Sequence, residues 1–333
     1  MKTEKKVYSR IRLLIMLCVV MTGLLTTVSV LAETVAKIGS SSYSSVAKAL
    51  FAANNGQTVK LIKNATYSFK FNDRYPLIGK KVTIDLNQKK LTIKGSLCMF
   101  RNANVTIKNG EIGYKKNAYM LIDEKSTVKM QNCKFNMKIG NSIRVDGKSK
   151  LTLNKCTVSI TDTGISSEEK SELIINGGTY VFRGTGRLGT SGGKLTIKKG
   201  NFYNRGRNVI IAANPQGKLN GTVTIKGGSF TGLGGVLYLG KKQNCTITGG
   251  KFSSSQDSVL QIYGNLNVKG GTISGGHPSD EVWPSHGILC FETARVKLYK
   301  GATVKGGNNT AIGYSYYKGA VVKNYGAVLV DGK

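Results

Sequence analysis

Short apolar–polar alternations recur along the chain at a nearly constant spacing. In each, two apolar residues flank a polar one, as in Val105–Ile107 and Val223–Ile225. A period of two is typical of a strand with one buried face. The first apolar residues of these strands lie 21 to 30 residues apart: Val59, Val82, Val105, Val128, Leu151, Leu173, Leu195, Val223, Cys245, Leu266, Val296 and Val321. The pattern predicts a repeat protein.

Two further positions repeat within each unit. We call the first apolar residue of each of these strands the marker. Five residues after the marker stands a small residue: Gly110, Cys133, Cys156, Gly178, Gly200, Gly228, Gly250 or Gly271. Seven residues after it stands an apolar or aromatic one: Ile112, Phe135, Val158, Tyr180, Phe202, Phe230, Phe252 or Ile273. A second apolar strand follows, which leaves no room for a crossover helix. We therefore expect equivalent strands of successive coils to pair in parallel, about 4.8 Å apart.

This pattern resembles the right-handed parallel β-helix of the pectate-lyase-like superfold over roughly residues 59 to 333. The predicted fold class is all-β, a right-handed parallel β-helix solenoid of about eleven to twelve coils. Residues 33–58 form the predicted N-terminal cap region. There, Tyr43, Val46, Ala47 and Leu50 fall on one helical face, similar to the amphipathic cap helix of many bacterial β-helices.

The first 32 residues resemble an export signal. A basic stretch, MKTEKKVYSRIR, precedes an apolar run that ends in small residues, and Val30 and Ala32 occupy the positions of a cleavage site. We expect cleavage before Glu33 and a secreted or cell-surface protein. The alternative is an uncleaved segment that anchors the chain in the membrane.

The chain is strongly basic, with a formal net charge of +32. Residues 1–32 contribute five basic groups and one acidic group, so the remainder carries 32 − 4 = +28. Ten residues after the markers, basic residues recur in successive units at Lys115, Lys138, Arg183 and Arg205, with Thr161 between and Lys116, Arg187 and Arg207 nearby. A second series follows the first strand: Lys94, Lys108, Lys198, Lys226 and Lys269.

A column of like charges in a solenoid suits a linear polyanion, which displaces the counterions that the column would otherwise hold. The predicted contacts are Lys115, Lys138, Arg183, Arg205 and Arg207. The predicted partner is an anionic polysaccharide or cell-wall polymer, bound without catalysis. Specific nucleic-acid binding is not expected, because exposed aromatic residues for stacking are not evident. A merely solubilising surface on an adhesin or spacer is an alternative.

An enzyme acting on acidic glycans is a second alternative. Asp123, Asp146 and Glu168 or Glu169 follow the second strand in successive units and could bind calcium, as in the calcium-assisted lyases of this superfold. A lysine follows each carboxylate, which favours a salt-bridge ladder, so we expect neither a resident metal nor a catalytic residue. Of the motifs of the polygalacturonase-type relatives, only Ser285–Gly287 matches part of one.

Two remaining features have open alternatives. The insertion at residues 274–287 holds both histidines and the single tryptophan, and predicts either an ordinary loop or a ligand-binding one through His277, Asp280, Glu281, Trp283 and His286. The five cysteines beyond residue 32 are expected to be buried thiols. Cys133 and Cys156 share one position in neighbouring coils, so a disulfide or stacked reduced thiols both fit.

Overall fold

The computed structural model describes residues 33–69, 76–206, 208–213, 219–276, 285–315 and 319–332, with no side-chain description for residues 96–99. The predicted signal, residues 1–32, lies outside these ranges. Val35–Lys333 forms one compact unit. In the described part of the chain, no helix has the length and apolar character needed to cross a membrane.

The chain forms 30 strands and one short helix, α1, in its described residues. The N-terminal half comprises β1 Ala36–Ile38, β2 Ser41–Tyr43, α1 Val46–Ala52, β3 Thr58–Leu61, β4 Ala65–Phe69, β5 Lys81–Asp85, β6 Lys90–Arg101, β7 Asn104–Tyr114, β8 Tyr119–Asp123, β9 Thr127–Met137, β10 Ser142–Val145, β11 Lys150–Thr161, β12 Gly164–Glu168 and β13 Glu172–Arg183. The C-terminal half comprises β14 Arg187–Ser191, β15 Lys194–Asn204, β16 Ile211–Ala213, β17 Gly221–Ile225, β18 Ser229–Gly232, β19 Leu237–Leu239, β20 Gln243–Ile247, β21 Lys251–Ser254, β22 Leu260–Ile262, β23 Asn265–Val268, β24 Gly271–Ser274, β25 Ile288–Cys290, β26 Arg295–Tyr299, β27 Ala302–Lys305, β28 Ile312–Tyr314, β29 Val321–Tyr325 and β30 Val328–Val330.

These strands wind into a parallel β-solenoid of about 11 turns, which confirms the predicted fold class. From β5 to β28, each coil has three strand segments. The first and second segments belong to one sheet surface, sheet A, and the third belongs to another, sheet B; for example, β11 pairs with β13 in sheet A and β12 with β14 in sheet B. Equivalent segments pair in parallel, so residues of successive coils become neighbours along the axis.

The apolar markers line the core in register, with two exceptions at the ends. From Val82 to Val296 each marker pairs with the next, as Val105 does with Val128. Val59 pairs with Ile84 instead of Val82, and Val296 pairs with Val322 instead of Val321. These two predicted markers were wrong, because the alternating residues Val59 and Leu61, and the adjacent valines 321 and 322, fit more than one register.

The repeated glycine and aromatic positions explain each other. Tyr180, Phe202, Phe230 and Phe252 are buried and stack along the axis with ring centroids 4.4 to 4.9 Å apart. Gly228 precedes Phe230 with φ of 117°, and a Cβ there would approach the backbone oxygen of Gly200 to 2.9 Å. Glycine therefore makes the turn that delivers each ring into the ladder.

The N-terminal end has a different local structure. Strand β1 pairs antiparallel with both β2 and β3. Helix α1 begins after Ser45, whose hydroxyl accepts from the amide of Lys48, and it buries Val46, Ala49 and Leu50. The predicted helical face was right for Val46 and Leu50, whereas Tyr43 belongs to β2.

Candidate polyanion-binding surface

The predicted basic residues lie in one line at the turn between the second and third segments. Thr161 pairs with Arg183. The amide of Arg205 donates to the carbonyl oxygen of Phe182, which places Arg205 beside Arg183. Ile112 pairs with Phe135, and Phe135 pairs with Val158. Lys115, Lys138 and Thr161 each lie three residues further along their coils, so the two lysines continue the same line. Arg207 lies outside the described residues.

Lys94 belongs to this line as well. The second sequence series placed it beside Lys108, but Ile93 pairs with Tyr114, so Lys94 precedes Lys115. In its coil, the turn between the first and second segments has four residues, Leu86–Lys89. The equivalent turn of the next coil has two, Asn109 and Gly110, so Lys94 lies two residues further along the chain than its spacing from the marker indicates. We call Lys94, Lys115, Lys138, Arg183 and Arg205 the basic file.

All five side chains of the basic file are exposed, and none forms a salt bridge with another described residue. Among the described residues, at least six other basic side chains form salt bridges; for example, Lys90 lies 2.6 Å from Glu111, and Lys150 lies 3.0 Å from Glu172. Arg183 donates a hydrogen bond of 2.9 Å to the hydroxyl of Ser159, one coil back. Five strand spacings separate Lys94 from Arg205, so the basic file is about 24 Å long.

A groove of about 560 Å³ runs beside the basic file on the outer face of sheet B. Its floor consists of the small residues Ser166, Gly189 and Ala212, which pair directly in successive coils. Arg144 precedes this floor and Tyr238 follows it in the same register. Polar side chains line the walls: Ser142, Asp162, Thr163, Glu168, Thr185, Arg187 and Ser191. The groove offers hydroxyl, carboxylate and guanidinium groups to a polar ligand.

The predicted acidic column is also in register, at the opposite edge of sheet B. The amide of Asp146 donates to the carbonyl oxygen of Ile122, which places Asp146 beside Asp123. Asp123 accepts from the Glu124 amide at 2.7 Å, and Asp146 accepts from the Gly147 amide at 2.9 Å and from Arg144 at 2.6 Å. Arg101 pairs with Glu124. These carboxylates therefore cap turns and pair with arginines.

Metal-ligand geometry is not found within the described residues. No group of three or more histidine, cysteine, aspartate or glutamate side chains there is arranged to hold a metal ion. Of the insertion, His277, Asp280, Glu281 and Trp283 lie outside the described residues. His286 is 7% exposed, and its Nδ1 lies 3.0 Å from the carbonyl oxygen of Thr310. Its imidazole packs over Gly313 and serves the packing of the coil.

Buried polar side chains occur under the groove floor, and the sequence pattern did not predict them. Ser167 and Thr190 pair in neighbouring strands and point into the core, being 0% and 2% exposed. Neither hydroxyl has a hydrogen-bond partner within the described structure.

Asp257, between β21 and β22, is partly buried. Burial raises its pKa, although the amide of Ser258 and the side chain of Gln261 donate hydrogen bonds to its carboxylate.

Comparison with protein-family models, with curated proteins and with solved structures finds no match to this chain. The assignment of the site therefore depends on its own geometry and charge.

Proposed function

We propose that this protein binds an anionic polysaccharide or cell-wall polymer along the basic file, without catalysis. The single observation that carries the proposal is the alignment of five exposed cations, unpaired among the described residues, in one register-matched line. An extended polymer lying parallel to the solenoid axis meets one cation in most coils it crosses.

The physical driving force is the release of counterions. Two like charges about 5 Å apart repel by roughly 0.8 kcal/mol in water, so the free file attracts anions from solution. A polymer with closely spaced charges replaces these ions and gains their entropy of release. Arg183 and Arg205 add planar guanidinium groups, which suit carboxylate and phosphate geometry better than ammonium groups do.

The polar lining of the groove favours a polymer that contains sugars over a polyanion without them. Its hydroxyl-rich walls lie beside the basic file, and Arg187 lines it directly. Charged groups of a polymer on the basic file would leave adjoining sugar rings within reach of Ser142 and Thr185. Calcium is not required for this mode of binding.

The proposal also includes the protein's cellular location and the type of β-helix to which it belongs. Residues 1–32 have the charge and hydropathy pattern of an export signal, which supports a secreted or cell-surface protein. An uncleaved signal would hold it at the membrane. The strand, glycine and aromatic periodicity supports a pectate-lyase-like type of β-helix; a shared fold leaves activity open.

The test is retention on immobilised polygalacturonate, heparin and teichoic acid at physiological ionic strength. A variant with Lys115→Gln, Lys138→Gln, Arg183→Gln and Arg205→Gln is expected to lose most of the retention shown by the unmodified protein on at least one polymer. A matched control removes four exposed charges at or near another turn: Lys198→Gln, Lys226→Gln, Lys251→Gln and Lys269→Gln.

The control separates a specific surface from net charge alone. If both variants lose retention equally, the basic file has no special role, and net charge alone accounts for the binding. If the unmodified protein is retained on none of the polymers, the proposal fails outright.

A second candidate is an enzyme that cleaves acidic glycans in the groove. One observation favours it: the carboxylates of Asp162 and Glu168 and the guanidinium of Arg187 line the same groove. Asp162, however, accepts a hydrogen bond of 2.8 Å from the Thr185 amide, which gives it a structural role. Incubation with uronic-acid polymers, with and without calcium, tests for a lyase through ultraviolet-absorbing product, and a reducing-end assay tests for a hydrolase.

A further inference from the structure

Cys133 and Cys156 lie directly opposite each other in successive coils. The residues that flank them pair in register, Gln131 with Asn154 and Lys134 with Thr157. They occupy the position that is glycine on both sides, since Gly110 pairs with Cys133 and Cys156 pairs with Gly178. The repeat therefore replaces glycine by cysteine in two adjacent coils.

Both thiols are buried inside the solenoid. Cys133 is 2% exposed and Cys156 is 0% exposed. Both Sγ atoms point toward the preceding coil, each 3.5 Å from a carbonyl oxygen, that of Ile107 for Cys133 and that of Met130 for Cys156. The interaction between the two neighbouring thiols raises the pKa of Cys133 and lowers that of Cys156. Both cysteines are reduced in this structure.

Their spacing falls within the range of a disulfide. Residues opposite each other in neighbouring strands are about 4.8 Å apart, and disulfides join Cα atoms about 4.4 to 6.8 Å apart. The other described cysteine side chains have no such neighbour. Cys245 pairs with Val223 and Leu266, and Cys290 pairs with Ile262 and Tyr314.

We propose that Cys133 and Cys156 form a reversible disulfide that cross-links two successive coils of the solenoid. The oxidant is a small-molecule disulfide such as oxidised glutathione. The thiolate of Cys156 attacks one sulfur of the oxidant and expels one thiolate, leaving a mixed disulfide. The thiolate of Cys133 then attacks the Sγ atom of Cys156 and expels the second. Two electrons pass to the oxidant, and the two protein thiol protons end on the released thiols.

Burial controls when this reaction takes place. Neither sulfur is accessible in the closed coil, so an oxidant reaches the pair while the chain folds or when these coils open locally. Side chains that leave neighbouring parallel strands point the same way, and their Cβ atoms must approach to close the bond. The resulting strain favours a bond that a thiol reductant can reverse.

The disulfide closes a loop of one full coil, which includes Lys138 of the basic file. Closing such a loop restricts the unfolded chain and holds the two coils together. The oxidised protein is therefore expected to unfold at a temperature several degrees above that of the reduced protein.

The experiment compares the full chain refolded in an oxidised and in a reduced glutathione buffer. Free thiols are alkylated under denaturing conditions, and the protein is digested without reduction for mass spectrometry. The expected result is a disulfide-linked peptide pair holding Cys133 and Cys156, while Cys245 and Cys290 are recovered alkylated. Dithiothreitol is expected to abolish the linked pair and lower the unfolding temperature.

Two variants keep the result interpretable. Cys133→Ala removes one partner, so its unfolding temperature is expected to be the same in both buffers. Cys245→Ala removes an unpaired buried cysteine, so it is expected to keep the redox-dependent shift. Recovery of Cys133 and Cys156 as separate alkylated peptides from the oxidised, folded protein would overturn the proposal, as would a redox shift that persists in Cys133→Ala.

Discussion

Phe202 and Phe230 stack face to face in the core, with centroids 4.4 Å apart and planes 7° from parallel, although they belong to different coils. Their contact shows how this chain specifies its fold. Each coil cannot bury its own apolar face and must be covered by the next one, so equivalent residues meet along the axis. The same stacking aligns the basic file on the outside.

Truncation of one ladder ring tests the energetic role of this stack. Phe230→Ala removes a fully buried ring that contacts Phe202 and Phe252, and we expect a loss of about 3 to 5 kcal/mol in the free energy of unfolding. Urea denaturation followed by circular dichroism measures this loss. Phe230→Leu, which keeps most of the volume, is expected to cost less than half as much. Equal losses for the two variants would contradict a role for ring volume.

The glycine turn gives a second prediction. Gly228→Ala places a Cβ 2.9 Å from a backbone oxygen at a φ of 117°, so we expect a loss of more than about 1 kcal/mol. Gly189→Ala is the matched control. A Cβ at Gly189 meets its nearest atom at 3.6 Å, in ordinary contact, and the substitution is expected to be neutral or slightly stabilising. Thermal unfolding of both variants decides between these expectations.

The unpartnered hydroxyls beneath sheet B give a third prediction. Replacing Ser167 by Ala and Thr190 by Val removes two buried polar groups with little change in shape. Because a buried hydroxyl without a partner costs about 1 to 3 kcal/mol, the double variant is expected to be at least as stable as the unmodified protein. A clear loss of stability in urea denaturation would indicate that both hydroxyls hold buried water.

The groove is tested by filling its floor. Gly189→Gln projects a side chain outward between Ser166 and Ala212, and we expect retention on the bound polysaccharide to fall several-fold. Binding to inorganic polyphosphate, which carries no sugar, is expected to be unchanged because the basic file is intact. If retention on the polysaccharide is also unchanged, the groove plays no part in binding, and the basic file alone accounts for it.

The fold was predictable from the sequence because each repeated residue type has one physical role. Residues equivalent to Phe230 recur because the stacked core requires an aromatic or apolar side chain, and glycines equivalent to Gly228 recur because the turn requires them. Cys133 and Cys156 occupy the same position of the repeat, so the sequence predicted that they are neighbours. Lys94 was placed wrongly, since two extra residues at Asn87 and Gln88 lengthen its turn without changing the apolar pattern.

The site was less predictable than the fold. Sequence spacing aligned Lys115 with Lys138 and Arg183 with Arg205, but which cations have ion-pair partners depends on side-chain geometry that periodicity does not encode. The groove results from three small outward residues, Ser166, Gly189 and Ala212. These three residues differ from the equivalent residues of other coils only in having small side chains, so no local sequence motif identifies them.

The most direct test of the central claim is the salt dependence of polymer binding. The logarithm of the binding constant is measured against the logarithm of salt concentration for the unmodified protein and for the variant lacking Lys115, Lys138, Arg183 and Arg205. Each cation that displaces a counterion contributes about 0.7 to 0.9 to the slope for nucleic acids. We therefore predict that the variant's slope is shallower by about 3 to 4 units, whereas identical slopes would contradict binding along the basic file.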